Sequence, residues 1–218
     1  MKENEKKQIT QNQALSKIDK KFLELKKTQK IALMPFIMAG DPNVETTSKI
    51  LLKLQEKGAD LIELGIPYSD PLADGPIIQF SASKALQSGT TSVKVLQLLE
   101  SLKDKLHIPI ILFTYFNPIL SFGLENFCEL ASKAGVAGLI IPDLPLEEAY
   151  KFSEIISFYN IDLILLVAPT TPFERMKMIT NNTKGFTYLV SVTGVTGERN
   201  KMEGRVENLI NQLKDISL

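Results

Sequence analysis

DLIELGIPYSDPLADGP, residues 60–76, is the stretch on which the fold turns. Its first six residues are short, mostly apolar without alternation, and end in Gly65, which reads as a strand buried on both faces, as in a parallel sheet. The remainder, IPYSDPLADGP (66–76), is a long loop punctuated by Pro, Asp and Gly.

The same unit recurs on either side. Upstream, IALMPFIMAG (31–40) is another dense apolar run, preceded by a helix over about 14–27. Asp41-Pro42 reads as an N-cap followed by Pro at the first helical position; Leu51, Leu52 and Leu54 form an apolar stripe, and Gly58 ends that helix. Downstream come helices near 77–87 and 92–105, a strand IPIILFTYF (108–116), and a helix 124–134 closed by Gly135. GLIIPDL (138–144) and DLILLVAP (161–168) are further strands, with a helix at 146–158 between them. TPFE (171–174) has capping-box spacing and starts a helix to about Asn181. GFTYLVS (185–191) is the sixth strand, GVTGERN (194–200) a glycine-bearing loop, and 204–216 a last amphipathic helix.

Strand–helix alternation of this kind predicts an α/β fold of the TIM (β/α)8 barrel type. Six βα units are present, so residues 1–218 are expected to form a single incomplete barrel domain in which strands 7 and 8 are missing. Two raw sheet edges would follow.

Composition narrows the function classes. Lys and Arg together number 25, as do Asp and Glu, so the net charge is zero and there is no basic footprint for nucleic acid or an anionic membrane. Any bound phosphate must be held by local geometry. Cys128 is the sole cysteine and His107 the sole histidine, which excludes an internal disulfide and Cys or His metal clusters. They read as a core thiol and a loop residue. No apolar run reaches the roughly 18 residues of a membrane span, and the polar start lacks a signal-peptide core. Arginines number three against 22 lysines, the usage of an AT-rich genome.

In such a barrel, chemistry sits at the C-terminal ends of the strands. Two carboxylates lie there. Glu63 is inside a strand buried on both faces, where an unpaired carboxyl is pushed toward a raised pKa and can exchange protons near neutrality. Pairing with a lysine, or capping a neighbouring backbone, is an equally good account from the residues alone. Asp74-Gly75, in the loop fed by the same strand, is also ordinary turn chemistry.

ELGIPYSDPLADGP (63–76) resembles the signature of tryptophan synthase alpha subunits. PFIMAGDP (35–42), YFNP (115–118), PDLP (142–145), APT (168–170) and YLVSVTGVTG (188–197) resemble that family's strand-end motifs, in its order. The resemblance implies retro-aldol cleavage of indole-3-glycerol phosphate to indole and glyceraldehyde 3-phosphate, the last stage of tryptophan biosynthesis, with no cofactor and no metal. Glu63 matches the general acid–base, and Asp74 the carboxylate that accepts the indole N–H. Phe36, Ile78, Phe113 and Tyr115 match walls of the indole pocket, and Tyr188 a substrate contact near Glu63. Thr196 and Gly197 match the closing loop, and Asp70 the face turned to the beta subunit in a heterotetrameric α2β2 complex. Val192 stands where some members carry an arginine.

The family's main phosphate grip follows strands seven and eight, so the resemblance also implies weak activity or none for this chain alone. Two other readings stand beside it. One is a non-catalytic partner that binds the beta subunit. The other is indole-3-glycerol phosphate synthase, disfavoured because PFIMAG has no lysine. The expected compartment is a bacterial cytoplasm, or the chloroplast stroma if the gene is plastid-encoded.

Overall fold

A computed structural model describes residues 15–190 and 204–217. The first element is helix α1 (Lys17–Lys27), three residues shorter at its start than the sequence pattern. Ser16 decides the boundary: its hydroxyl accepts from the Asp19 amide while the Asp19 carboxylate accepts from the Ser16 amide, a capping box. Strand β1 (Phe36–Met38) and helix α2 (Val44–Glu56) come next. Strand β2 (Ile62–Gly65) leads through the long loop into α3 (Pro76–Gln87) and α4 (Ser92–Leu102).

Strand β3 (Ile110–Phe113) is followed by α5 (Phe116–Phe122) and α6 (Leu124–Lys133), then β4 (Gly138–Ile140) and α7 (Leu146–Ser157). Strands β5 (Asp162–Ile164) and β6 (Leu166–Val167), helix α8 (Phe173–Asn182), strand β7 (Tyr188–Leu189) and helix α9 (Gly204–Ser217) complete the described order. Strands β1 to β5 pair in parallel and in sequence, and β6 pairs in parallel with β7. That is the sheet of a (β/α) barrel, one strand per crossover.

Register divides the strand residues between two faces. Phe36, Glu63, Ile111, Gly138 and Asp162 are cross-strand partners and share one face; Met38, Gly65, Phe113, Ile140 and Ile164 form the next row on it. The alternate residues Ile62, Leu64, Leu112, Leu139 and Leu163 are buried in the main core, with Leu51, Leu99, Phe127 and Phe152 from the helices. On the first face Leu61, Ile111, Ile140 and Ile164 pack around Ile18 of α1. Ile18 is fully buried, and Gly138 and Gly185 make room for it: a Cβ on either would lie 2.9 Å from an Ile18 methyl.

The local capping expectations are corrected at two places. Asp41 does not cap α2. Asn43 does, accepting from the Thr46 amide at 2.8 Å, while the Asp41 carboxylate turns to Ser81 and Lys84 of α3. Nor does TPFE form a capping box. The Thr171 hydroxyl accepts from the Ala168 amide at 3.0 Å, closing the preceding turn, so α8 starts after Pro172 with no side-chain cap.

Two segmentations also differ. The apolar run 161–168 is two strands, because the Leu165 amide donates to the Thr183 hydroxyl at 2.9 Å between them. The aromatic end of the third run belongs to helix α5. Its first residue, Phe116, donates its amide to Asp143 Oδ1 at 2.9 Å, which draws the chain off the sheet.

Candidate active site

Glu63 is 4% exposed, in the middle of β2, with Phe36 opposite on β1 and Ile111 opposite on β3. Burial alone pushes its carboxyl up to about 7, with no cation offsetting it. Protonated and ionised forms therefore coexist near neutral pH. The sequence left ion pairing open; among the described residues no salt bridge includes Glu63.

Aromatic rings line the approach to this carboxyl. Phe36 and Phe113 meet edge to face at 5.9 Å between centroids, and Phe113 meets Tyr188 at 6.5 Å. Gly65, next on the same face of β2, keeps the space open, since a Cβ there would sit 2.8 Å from Phe36 Cζ. The Tyr188 phenol is raised to about 12, by burial first and by the Glu63 charge second. Tyr188 therefore lies within electrostatic reach of Glu63.

Asp74 is held differently. The loop turns through Leu72 N–H to Asp70 C=O and Asp74 N–H to Pro71 C=O, and Gln79 of α3 donates its side-chain amide to the Asp74 carbonyl at 2.8 Å. Burial raises the Asp74 carboxyl, and a hydrogen bond from the Tyr115 phenol works against that rise. Tyr115 also accepts the Ala73 amide at 2.9 Å, so one buried phenol fixes the loop and orients the carboxylate. Its own ionisation is pushed up, by burial foremost and also by Asp74.

The predicted residues fall into two groups. Glu63, Phe36, Phe113 and Tyr188 form one, and Asp74 with Tyr115 the other. Ile78 of α3, four residues after Asp74, packs in a cluster containing Phe36, Met38, Ala82 and Ala85, and so bridges the groups through Phe36. Asp70 is an exposed turn residue. Thr196, Gly197 and Val192 lie outside the described residues.

Two contributors escaped the sequence reading. Tyr68 packs against Tyr115 with centroids 5.4 Å apart, and Asn117 donates to the Tyr68 hydroxyl at 3.0 Å. Both lie in motifs already singled out, ELGIPYSDPLADGP and YFNP, which was the available signal. Near Asp70, Leu72, Ile77 and Phe80 are exposed, a run of apolar surface that a reading by charge overlooked.

A cavity of about 390 Å³ opens elsewhere, at the N-terminal end of β3, lined by Lys17, Lys103, His107, Ile110 and Gly135 among others. Neither Glu63 nor Asp74 is among its lining residues. Among the described residues no three His, Cys, Asp or Glu side chains converge as a metal site, and no helix is long and apolar enough to cross a membrane.

Residues 22–218 match the family model described as tryptophan synthase alpha chain. The chain is 84% identical over 218 residues to the tryptophan synthase alpha chain of Prochlorococcus marinus subsp. pastoris (strain CCMP1986), covering all of this chain and 78% of that one. Its fold is similar to that of Mycobacterium tuberculosis tryptophan synthase, with TM-score 0.87, 32% identity, and 94% and 78% of the two chains covered. It is also similar to a chain from the tryptophan synthase a2b2 complex of Pyrococcus furiosus, with TM-score 0.80, 41% identity, and 85% and 74% covered.

Proposed function

The chain belongs to the tryptophan synthase alpha chain family, and from that premise we propose that Glu63 and Asp74 divide the chemistry of its reaction. The protein is a carbon–carbon lyase of tryptophan biosynthesis that cleaves indole-3-glycerol phosphate. Breaking that bond requires the indole ring to become an electron sink, which it does once its substituted ring carbon is protonated.

Glu63 supplies and recovers that proton. A carboxyl with affinity near 7 is a competent acid and a competent base at neutral pH, which its ordinary value of 4.5 would not allow. In the second role it takes the proton of the glycerol hydroxyl as the carbon–carbon bond opens. Asp74 acts as its carboxylate, the form the Tyr115 hydrogen bond favours against the upward push of burial; it accepts the indole N–H and stabilises the positive charge that develops on the ring. Two carboxyls in unlike surroundings can thus hold different protonation states at one pH. Phe36, Ile78, Phe113 and Tyr115 wall the indole, and Tyr188 meets the substrate beside Glu63.

The observation that carries this reading is the buried, cation-free Glu63 carboxyl among Phe36, Phe113 and Tyr188. Replacing it with glutamine tests the reading: Glu63→Gln removes indole release and leaves the fold intact, and near-normal turnover would refute the role.

The same reading gives the chain a beta subunit as partner in an α2β2 assembly, supported by its likeness to the Pyrococcus furiosus complex. Asp70 and the exposed Leu72, Ile77 and Phe80 form the face for it. The cyanobacterial relative supports the bacterial cytosol over the plastid stroma as the compartment.

A further inference from the structure

The Asp41 carboxylate has no part in the chemistry above, yet it is engaged from two sides. Its Oδ1 is shut off from water and faces the Lys84 ammonium at 2.7 Å, and its Oδ2 accepts from the Ser81 hydroxyl. Both partners are on α3, whereas Asp41 lies just past the end of β1. The backbone beside it is fixed as well. Gly40 donates its amide to the Thr47 hydroxyl at 2.9 Å, and its carbonyl accepts from Ser88 Oγ at 3.2 Å. Gly40 has φ +87, and a Cβ there would fall 1.9 Å from Thr90 Oγ1, so only glycine fits at this turn.

Helix α3 is thus joined to β1 twice. The polar joint is Asp41 with Ser81 and Lys84. The apolar joint is Met38 and Phe36 with Ile78, Ala82 and Ala85. A helix held only by the apolar cluster can slide by small amounts, because dispersion contacts have no fixed register. A carboxylate clamped between two donors one turn apart does fix register. The same helix grips the Asp74 backbone through Gln79. Movement of α3 along its axis therefore moves Asp74 and Ile78 together, relative to Glu63 and Phe36 on the sheet.

We propose that Asp41 is a positioning residue for the lyase reaction, fixing α3 to β1 through Ser81 and Lys84 and thereby setting Asp74 and Ile78 against Glu63 and Phe36. The proposal rests on the roles assigned above to Glu63 and Asp74. It requires no contact between Asp41 and substrate.

The test is a mutant cycle read in turnover and in binding of indole-3-propanol phosphate, a non-cleavable analogue. In the otherwise native chain, Asp41→Ala lowers kcat on the order of 10- to 100-fold, the scale of a displacement of about 1 Å at the reacting groups. It also weakens analogue binding several-fold. Lys84→Met and Ser81→Ala each remove one arm of the clamp and give smaller losses of the same kind. These two carry the test if Asp41→Ala does not fold, as judged by its thermal transition.

The decisive comparison is Asp41→Ala in an Asp74→Asn background. A residue acting through Asp74 has little left to act on there, and analogue affinity changes by less than about twofold. An equal loss in both backgrounds shows a general structural role and overturns the proposal. Full activity in well-folded Asp41→Ala, Lys84→Met and Ser81→Ala overturns it too. If Asp74→Asn alone keeps native turnover, the reading of Asp74 fails and this proposal with it, a result distinct from inert Asp41 variants in a parent that needs Asp74.

Discussion

Phe36 and Glu63 are directly paired across the β1–β2 ladder, and Gly65, two residues along β2, leaves the Phe36 ring its space. A Cβ at position 65 would meet Phe36 Cζ at 2.8 Å and Met38 Cε at 3.2 Å. The ring must then shift, and Phe113 meets it edge to face at 5.9 Å. Gly65→Ala is therefore expected to leave a folded protein, destabilised by about 1–3 kcal/mol through overpacking, with kcat/KM for indole release lowered at least tenfold. Urea unfolding and steady-state turnover on one preparation check both halves. Unchanged turnover would show that Phe36 does not border the substrate.

Tyr115 serves two neighbours, donating to the Asp74 carboxylate and accepting from the Ala73 amide at 2.9 Å. In Tyr115→Phe both bonds go. The phenol's bond lowers the proton affinity of Asp74, so its loss raises that affinity, and the acidic limb of the kcat/KM profile moves to higher pH. A half-buried carboxylate stripped of one donor and a loop amide left unpaired together amount to roughly tenfold in kcat, about 1.4 kcal/mol. A pH–rate profile that superimposes on the native one would show that Asp74 does not depend on Tyr115.

The order of strands and helices was legible because each apolar run is short and buried on both faces, and helices end at a residue such as Gly58 or Gly135. The position of Glu63 was legible for the same reason, a charge inside such a run. What could not be read locally was where polar side chains find partners distant in sequence. Asp41 resembles an N-cap, but its partners are 40 and 43 residues away on α3. Thr171 resembles the start of a capping box, but its hydroxyl is used three residues back. Whether Glu63 was paired or solitary also waited on the structure, since the answer lies in which strands flank β2.

Ile18 is expected to dominate the attachment of α1. It is fully buried among Ile111, Ile140 and Ile164, and Gly138 and Gly185 both give it room. Ile18→Ala leaves a cavity lined by residues of several strands that cannot all collapse inward, so a loss of about 2–5 kcal/mol is expected in urea unfolding. A loss below about 1 kcal/mol would show that α1 is held chiefly by its surface contacts.

The environment that equips Glu63 for proton transfer also makes it a burden on stability, with a sign that can be worked out. Its proton affinity is about 7 when folded and 4.5 by its ordinary value. Between those values the folded chain binds the proton and the unfolded chain releases it, so stability falls as pH rises. The neutral carboxyl's full contribution is present below pH 4.5 and is lost once the pH passes about 7. A gap of that size corresponds to roughly 3 kcal/mol. Glutamine has the same shape and nothing to ionise, so Glu63→Gln has no such dependence at this site. The variant that abolishes indole release should therefore be more stable than the native chain at pH 8, by about 2–3 kcal/mol, and nearly equal to it at pH 5. Parallel urea titrations at the two pH values give the comparison. If the difference between variant and native does not grow with pH, Glu63 is ionised without penalty in the folded protein, and its role as the proton donor goes with it.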